Sequence, residues 1–158
     1  MNNRQQASAG RDRRRPTPYG KILVATDGSD CSMLAAAHAI YLAESLGARL
    51  YAVYAVDAPR AFHIGIHFRE AMTELEASGA KAVAAVREMA EERGLECEEI
   101  VAEGSPHESI ILTSERVDAD LVILGSTGMT GLERALLGSV SRRVLLYSGR
   151  PVLLVREP

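Results

Sequence analysis

A pair of glycines, a glycine–serine pair and one aspartate are where this 158-residue sequence could do chemistry. Gly125-Ser126-Thr127-Gly128 follows the apolar run Leu121-Val122-Ile123-Leu124, and Gly138-Ser139 opens another helical pattern after nine intervening residues. Glycines at the end of a buried strand permit a tight turn and let backbone approach a ligand with no Cβ in the way. A helix start offers N–H groups without intrahelical acceptors and the positive end of the helix dipole, which suits phosphate. Asp27 closes the first apolar run. The chemistry suggested is a nucleotide held by backbone amides rather than by a lysine. A plain turn and helix cap without ligand is the alternative for the glycines, and capping of the first helix is the alternative for Asp27.

The elements that must position these residues follow from hydrophobic periodicity. Lys21–Thr26 reads as strand one, bounded by Gly20 and Asp27-Gly28-Ser29, with Ser29 or Asp30 as cap of the next helix. That helix, 30–46, places Leu34, Ala37, His38, Tyr41, Leu42 and Leu46 near one stripe, and Gly47 stops it. Strand two is 49–56. A helix over 68–93 has Phe68, Met72, Leu75, Ala82, Val83, Val86, Met89 and Ala90 as its apolar face, with Gly79 marking a bend or a close packing. Strand three, 97–103, is kept partly solvated by Glu96, Glu98 and Glu99 and so suits a sheet edge. Ser105-Pro106-His107-Glu108 starts a helix to Arg116, with Ser105 at the cap and Glu108 in a capping role. Strand four is 121–124, the last helix runs 138–148, and Val152–Val155 is strand five. Strands alternate with helices, which implies a mostly parallel sheet covered on both faces. Ligands in such folds sit beyond the carboxyl ends of strands where the winding reverses. Strands one and four, ending in Asp27 and Gly125, flank that point.

The spacing from Gly125 through Gly128 to Gly138-Ser139 resembles the nucleotide-binding signature of the universal stress protein family, in its ATP-binding branch. Ile22–Ser29, Val56-Asp57, Gly104-Ser105-Pro106, Ala119–Val122 and Pro151–Val155 are also similar to family motifs, so the resemblance covers nearly all of residues 20–156. It implies an open five-stranded parallel sheet with helices on both faces, Rossmann-like, in strand order 3-2-1-4-5. It implies ATP as ligand, with or without Mg²⁺, while AMP or cAMP stays open because amides bind phosphate without counting it. Asp27 would bond the ribose, with Ala25 and Thr26 beside it. Ala55 would present backbone to the adenine. Leu124, Gly125, Thr127 and Gly128, then Gly138, Ser139, Val140 and Ser141, would hold the phosphates. Each assignment is chemically sound: a carboxylate suits sugar hydroxyls, and amides with a hydroxyl suit an oxyanion. The resemblance further implies a homodimer paired through Val152–Val155, an exposed apolar edge.

Other readings are weaker. The only lysines, Lys21 and Lys81, lie far from any glycine loop, so there is no phosphate-loop lysine, and no GxGxxG follows strand one. His63-Ile64-Gly65-Ile66-His67 has one residue too many for an HxGH nucleotidyl-transfer motif and follows the wrong strand. As a metal site with Glu70 it would need a helix that Gly65 opposes. Cys31 is read as an inert thiol, and His107 as a surface residue. No general base stands beside the phosphate glycines, so the reading is holding and sensing rather than catalysis. A slow ATP hydrolase and a nucleotide-free interaction module are the rivals.

Composition sets the outer bounds. The net charge of −3 is uneven: Arg4, Arg11, Arg13, Arg14 and Arg15 against Asp12 give the first twenty residues +4 and the remainder −7. An acidic body argues against a nucleic-acid surface. No apolar run reaches the ~20 residues of a membrane span. Two cysteines without CxxC spacing fit free thiols in the cytoplasm. The organisation expected is a disordered basic tail over 1–19 and one nucleotide-binding domain over 20–157.

Overall fold

A computed structural model describes residues 19–57, 68–127 and 137–158. The elements are β1 (Lys21–Ala25), α1 (Asp30–Leu46), β2 (Arg49–Val56), α2 (Phe68–Glu91), β3 (Cys97–Glu103), α3 (Pro106–Arg116), β4 (Leu121–Gly125), α4 (Ser139–Tyr147) and β5 (Val152–Val155). The five strands form one sheet in the order β3-β2-β1-β4-β5, and every neighbouring pair is parallel. The architecture is the α/β sheet expected from the alternation of elements, in the expected strand order. Boundaries differ from the periodicity by one or two residues, as helix ends commonly do. β1 stops at Ala25, α2 at Glu91, and α4 at Tyr147 with Ser148 as its cap. The expected basic tail up to residue 18, and the His63–His67 segment, lie outside the described residues.

The strands are buried because helices cover both of their faces, and the two-residue period divides them between two cores. Ile22 and Val24 of β1, Leu121 and Ile123 of β4, and Leu50, Ala52 and Val56 of β2 pack with α1 and α2. The alternate residues Leu23, Val53, Val122 and Leu124 pack with Ile110 of α3 and Val144 of α4. β3 is an edge strand, and of its residues only Ile100 is fully buried, so its glutamates remain in water. Asp120 clips the start of the central pair: its carboxylate accepts the N–H groups of Gly20 and Lys21, both at 3.0 Å.

The stripe expected on α1 is corrected. Ala35, Ala36, Ala39, Ile40 and Ala43 are the buried residues, whereas Ala37, His38, Tyr41 and Leu46 face solvent. α1 is apolar on more than one side, so spacing alone did not choose the inward one. Its alanines choose it, because they let the helix lie close on β1 and β4. Ser29 is the cap of α1, its hydroxyl accepting the N–H of Ser32, and Gly47 ends the helix in the left-handed region at φ 65°. Ser105 occupies the cap position of α3, but its hydroxyl is turned to His107 Nδ1 at 2.9 Å and makes no capping bond. His107 is accordingly half-buried rather than a surface residue.

Gly79 proves to be a close packing. A Cβ there would lie 2.6 Å from the buried ring of Tyr54 on β2. Replacing a helical glycine by alanine ordinarily gains ~1 kcal/mol, but overpacking a core costs ~1–3 kcal/mol. Gly79→Ala is expected to lower stability by up to ~2 kcal/mol in urea unfolding; a neutral or stabilising result would show that Tyr54 has room to move.

Candidate functional site

The carboxyl ends of β1, β2 and β4 open into a cleft of about 330 Å³, inside the ~300–1,000 Å³ range of small-molecule sites. Ala25, Thr26, Asp27, Ala55, Leu124, Gly125, Thr127, Gly138, Ser139, Val140 and Ser141 all line it. Eleven of the twelve residues singled out in the sequence are thus brought together; the twelfth, Gly128, lies outside the described residues. The parallel sheet does this directly, since it delivers every strand end and the following helix start to one side.

The β1 end is a built turn. Asp27 is half-buried, and its Oδ1 accepts the backbone N–H of Ser29 at 3.0 Å and the Ser29 hydroxyl at 2.5 Å. Asp27 therefore holds the residue that caps α1 rather than capping the helix itself. Thr26 is buried, its Oγ1 accepting Gly28 N–H at 3.1 Å and sharing a hydrogen bond with Ser32 Oγ at 3.0 Å. That hydroxyl shapes the turn. Gly28 takes φ 80°, which a side chain would strain.

The β4 end is drawn together by backbone. Ser126 N–H donates to Val155 at 2.8 Å, and Gly138 N–H donates to Ser126 at 2.7 Å, bringing the start of α4 against the end of the strand. The buried Ser141 hydroxyl donates to the Gly125 carbonyl at 2.7 Å. A Cβ on Gly138 would stand 3.2 Å from the Ser126 oxygen, and one on Gly125 would stand 2.9 Å from Cys31 Sγ. Gly125 is needed first by the packing of α1 beneath it, which is a different reason from ligand approach. Cys31 is buried there and its thiol points at the Val155 carbonyl, in keeping with an inert role.

Charge distinguishes α4 from the other helices. α1, α2 and α3 each carry an acidic residue in the first turn, namely Asp30, Glu70 and Glu108. Among the described residues α4 alone has none, and its cap, Gly138, has no side chain to accept its first-turn N–H groups. Ser139, Val140 and Ser141 therefore bring amides with a positive dipole end to the cleft wall without an internal counter-charge. Arg142 and Arg143 follow on the exposed face. Val53, Leu75 and Ile110 add apolar surface to the same cleft. The cleft thus offers apolar contact and helix-start amides to one ligand.

Six lining residues were not singled out as site residues: Val53, Tyr54, Asp57, Leu75, Pro106 and Ile110. Asp57 stands just past β2 as Asp27 stands past β1, so the strand-end argument could have found it. Leu75 arrives from the middle of α2 by tertiary packing, for which local sequence has no signal. The two lysines stay away from the cleft: Lys21 donates to the Val117 carbonyl at the far end of β1, at 3.1 Å, and Lys81 is exposed on α2.

Comparison with known proteins agrees with this architecture. A model of the universal stress protein family matches residues 18–156. Universal stress protein MJ0531 of Methanocaldococcus jannaschii is 42 % identical over 144 residues, which is 89 % of this chain and 84 % of that protein. Among solved structures, hypothetical protein MJ0577 of the same organism superposes with a TM-score of 0.80 at 27 % identity, over 90 % of this chain and 99 % of that one. A universal stress protein crystallised in complex with cAMP superposes with a TM-score of 0.58 at 30 % identity, over 89 % and 98 %.

The bond from Ser141 to Gly125 joins α4 to β4 in a buried place, so its loss orphans a carbonyl. Ser141→Ala is expected to cost ~1–3 kcal/mol in chemical unfolding and to raise amide exchange at residues 138–141; a variant as stable and as protected as the parent would remove this bond from the account of the cleft.

Proposed function

This chain belongs to the universal stress protein family, and from that premise we propose that it is an adenine-nucleotide-binding regulatory protein of the stress response, with ATP as its ligand. The observation that carries the reading is the cleft that brings the uncapped start of α4 together with the apolar residues Val53, Leu75 and Ile110. The adenine lies between the apolar residues, near Ala55, and Asp27 takes ribose hydroxyls. The amides of Thr127 and Ser139–Ser141, with Gly128 and the close backbone of Gly125 and Gly138, take the phosphates, and Mg²⁺ travels with them. Support for phosphate at this point is the absence of a first-turn carboxylate on α4, which would repel it. The residues lining the cleft offer binding groups and no lysine; the protein holds its ligand and changes the surface it presents. The relative crystallised with cAMP lends support to adenine as the base.

Mass spectrometry of the nucleotide released on heat denaturation is the first test, followed by thermal shifts with ATP, AMP and cAMP. Gly138→Val fills the contact beside the Ser126 carbonyl, and it is expected to weaken ATP binding at least ~10-fold, the equivalent of ~1.4 kcal/mol. Finding no released nucleotide and no shift with any of the three would favour a nucleotide-free interaction module. Single-turnover assays with labelled ATP separate holding from slow hydrolysis, since a rate abolished by Gly138→Val would make the cleft an enzyme site.

We also propose a cytoplasmic homodimer formed along the outer edge of β5. The supporting features are the half-buried Val152, Leu153 and Leu154 on an edge strand and the exposed Leu145, Leu146 and Tyr147 on α4 before it. Both described cysteines are free thiols, as a reducing compartment permits. Sedimentation velocity should give twice the chain mass; a monomer at the highest soluble concentration is the outcome that rejects this interface.

A further inference from the structure

A second cavity, of about 550 Å³, opens at the opposite, amino-terminal end of the sheet. Its wall is made by the first residues of β2 and β3 and by the turn that follows α2. Three carboxylates line it, Glu91, Glu96 and Glu98, against one guanidinium, Arg49. Glu91 is already matched by Arg87 at 2.6 Å, while Glu96 and Glu98 make no ion pair among the described residues. Arg49 is drawn over the ring of Tyr51, 5.7 Å from its centroid. α2 has no basic residue in its last turn, so its negative dipole end adds to the carboxylates without a counter-charge. The Cys97 thiol registers the same surroundings: burial, then repulsion from Glu99, push it up to about 12.

The chain enters β1 beside this cavity. The N–H of Arg49, a lining residue, donates to the Gly20 carbonyl at 2.9 Å. Strands lie ~4.8 Å apart, which puts β3 only ~10 Å from β1. The five residues back from Gly20 to Arg15 span up to ~17 Å when extended. The most basic stretch of the sequence, Arg11-Asp12-Arg13-Arg14-Arg15, is therefore tethered within reach of unmatched carboxylates.

We propose that this amino-end cavity and the adjoining start of β3 are the docking site for the chain's own arginine segment, residues 11–15, whose guanidinium groups pair with Glu96 and Glu98. Planar guanidinium matches carboxylate in two parallel hydrogen bonds, which favours arginine over lysine here. The tether supplies a high local concentration, so docking needs only weak contacts. Exposed charges at this spacing are screened by salt, which makes the docked state dependent on ionic strength. Docking keeps the basic segment against the acidic body and away from other acidic surfaces. It is independent of what the carboxyl-end cleft binds.

The test uses the full chain with Arg14→Lys, which keeps the charge and introduces an amine. A zero-length carbodiimide cross-link is expected between that amine and Glu96 or Glu98, located by mass spectrometry and suppressed at high salt. The link should be lost in a Glu96→Gln/Glu98→Gln background. Mixing isotope-labelled and unlabelled chains should show it within one chain. In parallel, Arg13→Ser/Arg14→Ser/Arg15→Ser should shift the NMR amide resonances of residues 95–98 and leave those of 125–127 in place. Cross-links spread over unrelated carboxylates, links only between chains, or unshifted 95–98 resonances would each overturn the proposal. All substituted side chains lie on the basic segment or the exposed rim, so the fold survives every variant.

Discussion

At the end of β4, Gly125 leaves no space for a side chain above Cys31. Four elements depend on that contact. α1 begins beneath it, β5 ends beside it through the Ser126 bond to Val155, and α4 is drawn over it by the Gly138 and Ser141 bonds. A Cβ at Gly125 would push against the backbone of α1, not only against a movable sulfur atom, so the strain could not relax locally. The consequence reaches past packing. Because β4, β5, α1 and α4 meet at one glycine, the start of α4 is held in a fixed relation to Asp27 across the cleft.

That arrangement solves a problem of orphan donors in two different ways. Every helix start has N–H groups without partners. α1 settles them internally, with Ser29 as cap, Asp27 holding Ser29, and Asp30 in the first turn. α4 has a glycine cap and no first-turn carboxylate. A cap contributes ~1 kcal/mol, and forgoing one at a site lined by Ser139 and Gly125 leaves the donors directed at whatever enters the cleft. The two helix starts lie at neighbouring strand ends, yet only one of them carries its own counter-charge.

Much of this was legible locally. The strands are short apolar runs between turn residues, and glycines with Asp27 mark strand ends that a parallel sheet must bring to one side. What was illegible came from packing between distant segments. The inward face of α1 is not legible from spacing, because the large residues Tyr41 and Leu46 lie on its outer side and its alanines matter only against a neighbouring sheet. Ser105 has the residue type and position of a cap, and only the nearby His107 ring shows where its hydroxyl goes. Gly125 suggests ligand approach in the sequence, whereas Cys31, ninety-four positions earlier, already requires it. Leu75 and Ile110 reach the cleft from opposite faces of the sheet, a meeting that no sequence window contains.

The polarity of the sheet links the two ends of the molecule. In a parallel α/β fold every helix starts at the carboxyl ends of the strands and finishes at the amino ends, so helix dipoles add rather than cancel. The carboxyl end gains a positive field, which three helices here partly neutralise with first-turn carboxylates and α4 does not. The amino end gains a negative field, and a sequence tuned for stability alone would place cations there. Instead α1 and α2 carry no basic residue in their last turns, and Glu91, Glu96 and Glu98 gather around the start of β3. Both departures run in the direction that costs stability: the start of α4 has no carboxylate on its own first turn, and Glu96 and Glu98 make no ion pair among the described residues. Helix dipoles of opposite sign at the two ends of one sheet, left without counter-charges in these helix turns, are the physical reason to look for an anion at one end and a cation at the other.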